Sequence, residues 1–88
     1  MLFENVMAIL DKCRDENLYD VGVAEAMLIN ENRPNIDAIQ EAGDFLKKHY
    51  TIITKCRRLG KNDTIKAFVE GDDATRNSII EQMAEIVE

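Results

Sequence analysis

The sequence predicts an all-α protein, a small bundle of four to five helices organised on one long central helix over residues 36–59. Two observations carry that expectation. Apolar residues recur every three or four positions through most of the chain, and no segment keeps the strict alternation of a half-buried strand. Capping and breaking residues, Asn17, Asp20, Pro34, Asn35, Gly60 and Gly71, divide the chain at intervals of helix length.

The first helix is expected over residues 2–16, with Phe3, Val6, Met7, Leu10 and Cys13 on one face and Asn17 as its stop. Asp20 is placed to cap a second helix running to about Asn30. That helix is apolar on nearly every side, Glu25 being its one charge, so it calls for cover all round, part of it from another chain. The polar run Asn30 to Pro34 reads as a loop.

The central helix carries signals at both ends. Pro34 turns Arg33 away from helical angles. Asn35 can accept a hydrogen bond from the first turn, and Gly60 can take the left-handed conformation that closes a helix. At about 100° per residue, Ala38, Ile39, Ala42, Phe45, Leu46, His49, Ile52, Ile53, Cys56 and Leu59 share one arc, while Lys47, Lys48, Thr51, Lys55 and Arg58 point away. Gly43 costs such a helix about 1 kcal/mol relative to alanine, which suggests a close helix crossing there. Asp63 is expected to cap a short helix Thr64–Glu70, ended by Gly71. Asp72 or Asp73 then caps a last helix, Ala74–Val87, burying Ile79, Ile80, Met83, Ile86 and Val87.

Eighty-eight residues suit one helical domain over residues 1–88. With 45% apolar and 32% charged residues, disorder is not expected. The chain shows no basic-then-apolar leader and no apolar run near the membrane-spanning length of about 18 residues. The expectation is therefore a soluble cytoplasmic protein without a membrane role. In that reducing setting Cys13 and Cys56, far apart and in no metal or redox spacing, are expected as small buried hydrophobes.

The net charge of −6 conceals a segregation. Residues 1–46 hold ten acids and three bases, 47–66 hold seven bases and one acid, and 67–88 hold six acids and one base. Mutual neutralisation of the basic middle by the acidic arms is one reading. The other is an anion or nucleic-acid surface along Lys47, Lys48, Lys55, Arg58 and Lys61.

Catalytic and metal-binding patterns are not written in this chain. His49 is the one histidine, and its helical neighbours Ala42, Leu46, Ile53 and Cys56 point to a packed imidazole. The residue three before it is Leu46, so the Glu-x-x-His pair of di-metal bundles is missing. No calcium loop, glycine-rich phosphate loop or His-Glu-x-x-His run occurs. No catalytic residue, cofactor or metal is expected. A helix-turn-helix over Asp63–Val87 would offer Arg76, Asn77 and Ser78 to bases, but Asp72, Asp73, Glu81, Glu85 and Glu88 surround them and repel phosphate.

The expectation is a small acidic non-enzymatic module, a homodimer, that binds another protein and modulates, chiefly inhibits, its activity. Compact acidic helical domains of this kind occur among phage and mobile-element regulators, which is an analogy alone. Met27, Leu28 and Tyr50 are expected to form the apolar contact, with Asp11, Asp15 and Glu16 steering a basic partner. The alternative is a nucleic-acid-binding regulator using the basic surface of residues 47–61.

Overall fold

A computed structural model describes residues 2–31 and 35–87. Among the described residues the chain forms six helices and no strand: α1 (Leu2–Asp15), α2 (Val21–Asn30), α3 (Ile36–Lys48), α4 (Tyr50–Arg58), α5 (Asn62–Glu70) and α6 (Asp73–Ala84). They pack as two units, Met1–Lys48 and His49–Glu88. Within the first, α1, α2 and α3 each pack against the other two, and within the second α4, α5 and α6 do the same.

The boundaries follow local chemistry. Asn17, at φ 55°, and Gly60, at φ 71°, take the left-handed conformation after α1 and α4. At each, the next amide reaches back five residues, Leu18 N–H to the Cys13 carbonyl at 2.8 Å and Lys61 N–H to the Cys56 carbonyl at 2.9 Å. These bonds satisfy carbonyls that a helix end otherwise leaves unpaired. At the starts, the Asp20, Asn35 and Asp72 side chains accept from the amides of Gly22, Ala38 and Thr75 at 2.8, 3.0 and 2.8 Å. The bond from Thr75 holds the Asp72 carboxyl below the usual carboxylate range. The Pro34 signal falls outside the described residues.

The expected single helix over residues 36–59 is interrupted. α3 ends at Lys48, and His49, at φ −119° and ψ 28°, leaves helical geometry and becomes the residue from which α4 starts. His49-Tyr50-Thr51-Ile52-Ile53 is a run of aromatic and β-branched residues, which lose side-chain freedom in a helix and hold it together poorly. Two further expectations are corrected. α5 begins at Asn62 with Lys61 as its cap residue, so Asp63 lies in its first turn. α6 stops at Ala84, which leaves Val87 off the helical face and exposed; Ile80 is also exposed, while Ile79 and Met83 are buried.

In the first unit the core is Val6, Ile9 and Leu10 of α1, Val21, Ala24 and Leu28 of α2, and Ile39, Ala42 and Leu46 of α3. At Gly43 of α3 the missing side chain leaves room for the Glu25 carboxylate of α2, which a Cβ there would push aside. Glu25 is only 13% exposed, and Lys47 Nζ lies 3.4 Å from its Oε2. That pairing offsets the desolvation of the largely buried charge. Lys12 of α1 reaches Glu31, the residue closing α2, at 2.8 Å.

In the second unit the core is Ile53 and Cys56 of α4, Ile65, Phe68 and Val69 of α5, and Ile79 and Met83 of α6. Two long cationic side chains close helix ends here. Lys55 of α4 donates from Nζ to the Met83 and Ile86 carbonyls at 2.6 and 2.8 Å. Arg76 of α6 donates from Nε and Nη2 to the Phe68 and Val69 carbonyls at 2.9 and 3.1 Å. Both place positive charge at a helix C-terminus, where the peptide dipoles favour it. Between α5 and α6 Gly71 has no room for a side chain, since a Cβ would lie 2.5 Å from the Ala67 carbonyl oxygen and 2.8 Å from Thr75 Cγ2.

Candidate functional site

The feature that stands out is the outward side of α2. Of its ten residues Glu25 alone is charged, and that carboxylate is turned inward over Gly43 to Lys47. Val21, Ala24 and Leu28 enter the core. Val23, 44% exposed, Ala26, and the partly exposed Met27 remain outside, at the three- and four-residue spacing that makes one helical stripe. Tyr19, 92% exposed, stands just ahead of the helix. A helix apolar on all sides is normally covered on all sides; among the residues of this unit only the inner side is.

The three apolar residues read from the sequence as partner contacts therefore separate. Met27 belongs to the outward stripe. Leu28 is a correction: at 1% exposure it is packed into the first unit's core instead of standing on the surface as a contact residue. Tyr50 is exposed, but it opens α4 in the second unit. Val23 and Ala26 were missed, and the exposed Tyr19 with them, because a helix without polar residues gives no sign of which side faces solvent.

The acids expected to steer a partner lie on or just beyond the end of α1, each with a base at hand. Arg14 Nε donates to Asp15 Oδ1 at 3.0 Å and its Nη1 lies 3.8 Å from Asp11. Glu16 lies 4.0 Å from Lys12. The hydrogen bond from Arg14 to Asp15, followed by the charges of Asp15 and Asp11, raises the guanidinium's proton affinity. Asp11 and Asp15 also line a shallow open hollow with Ala8, Lys12 and Leu28.

The basic stretch is likewise divided. Lys47 pairs with Glu25 in the first unit, and Lys48 ends α3, exposed. In the second unit Lys55 is a correction: it turns onto the end of α6 instead of facing solvent, leaving Arg58 and Lys61 exposed. Arg76, offered to bases in a helix-turn-helix, is turned back onto α5.

His49 packs edge-on against Phe68, ring centres 5.0 Å apart at 78°. Cys56 is buried and Cys13 partly exposed, both as free thiols. Burial pushes the Cys56 thiol up, outweighing the lowering pull of Lys61 and Lys55. Among the described residues no cluster of three or more His, Cys, Asp or Glu side chains is placed to hold a metal ion. No helix among them is long and apolar enough to cross a membrane. No protein-family model, curated protein or solved structure matches the chain.

Proposed function

We propose that this chain is a small non-enzymatic interaction module that binds another protein through the outward face of α2 and inhibits it. The observation that carries the reading is the uncharged stripe of Val23, Ala26 and Met27, on a helix whose single carboxylate is turned inward. Desolvating such a stripe stabilises a complex without stripping water from charges. Residues 1–48 contain ten acids and five bases, so the complementary surface is apolar at its centre with a basic rim. Asp11, Asp15 and Glu16 act through the net field of this half, since each already faces a base. A ten-residue helix is only about 15 Å long, so Tyr19 extends the contact at the start of α2.

Val23→Glu places a charge in the middle of the stripe while sparing the core. When wild-type and variant chains are immobilised and exposed to a lysate of the native host, a protein held by wild type should be retained at least about tenfold less by Val23→Glu. Gln40→Glu, on exposed α3 surface, should hold it normally. Equal retention by Val23→Glu contradicts the reading. Light scattering of the same chains separates the other occupant, a second copy: a dimer that Val23→Glu dissociates makes the face a self-association surface.

A further inference from the structure

We infer that the second unit, residues 49–87, opens as a body of its own, and that Arg76 and Lys55 are the latches that hold it shut. Its three helices each pack on the other two, and its seven core side chains come from all three. Both latches begin and end inside it: Arg76 ties α6 to the last carbonyls of α5, and Lys55 ties α4 to the end of α6 and the residues beyond. Helical geometry lapses at His49, where the unit begins.

The first unit has nine core side chains on helices of 14, 10 and 13 residues, against seven on helices of 9, 9 and 12 in the second. The fraction of surface buried on folding is lower for smaller bodies, so the second unit is the weaker one. Regions with fewer buried contacts open at lower free energy than the whole. The α2 face belongs to the first unit and persists while the second is open.

Cys56 reports the opening directly, because it is 1% exposed when the unit is closed. The measurement uses the full chain under native conditions. Alkylation of Cys56 by N-ethylmaleimide is followed by peptide mass spectrometry, beside hydrogen exchange at the amides of Ile9, Leu28 and Leu46. The two variants are Arg76→Met and Lys55→Met, and each labelling rate is divided by that of the same chain unfolded in urea, which removes the effect of losing Lys55, itself a charge that shifts the Cys56 thiol. The expected result is Cys56 labelling accelerated about tenfold in both, from loss of hydrogen bonds to a charged group, with exchange at Ile9, Leu28 and Leu46 changed less than about twofold. Exchange at those three amides rising by the same factor as Cys56 labelling overturns the inference. So does Cys56 labelling left at the wild-type rate in both variants.

Discussion

Leu28→Ala is expected to lower the unfolding free energy by about 2–5 kcal/mol, while Met27→Ala, one residue earlier on the same helix, costs less than about 1 kcal/mol. The contrast comes from their places. Leu28 is buried in a unit whose three helices pack on one another, so truncation removes its transfer free energy and leaves a cavity. Met27 lies on the outward stripe and leaves no hole. Urea unfolding followed by circular dichroism measures both. A Leu28→Ala protein as stable as wild type would remove Leu28 from the core and return it to the surface.

Phe68→Ala is expected to have the largest effect in the second unit, about 3–5 kcal/mol. Phe68 is the largest fully buried side chain among the described residues, and its ring also meets that of His49 in a T-shaped contact. Phe68→Leu retains most of the volume and should cost less than about 1.5 kcal/mol. With total stabilities of small domains at about 5–15 kcal/mol, the alanine variant approaches the limit at which this unit stays folded. Thermal unfolding read on the two variants side by side gives the comparison, and equal losses would show that filling this volume is not what Phe68 contributes.

The sequence was legible at most places where one residue and its near neighbours decide the outcome, the start of α5 excepted. Asp20, Asn35 and Asp72 accept from the amides two or three residues on, and Asn17 and Gly60 turn left-handed where a stop was expected. Gly43 faces α2, where it leaves room for the Glu25 carboxylate. The break at His49 was hidden by the very pattern that suggested one helix. Leu46 and Ile53 are seven residues apart, two turns of a continuous helix, so the apolar spacing of the sequence runs unchanged across the interruption. The weak helix formers from His49 to Ile53 were the available signal.

The candidate site was readable as a helix and unreadable as a face. Periodicity assigns a side only where polar and apolar residues alternate with it, and α2 gives no such contrast, so Met27 and Leu28 look alike until packing separates them. The cations were misread for a different reason. Lys55 and Ile86 are 31 positions apart, and no spacing rule reveals that a lysine on a basic stretch turns to a distant carbonyl. Its four-carbon stem allows the ammonium to reach it.

The central claim is that the outward stripe of α2 is where another protein sits. A photoreactive amino acid placed at residue 26 in the native host, compared with the same group at residue 40 on exposed α3 surface, tests it most directly. The account predicts a covalent adduct to another protein from residue 26 and little or none from residue 40; equal yields from the two positions, or no adduct from residue 26, would contradict it.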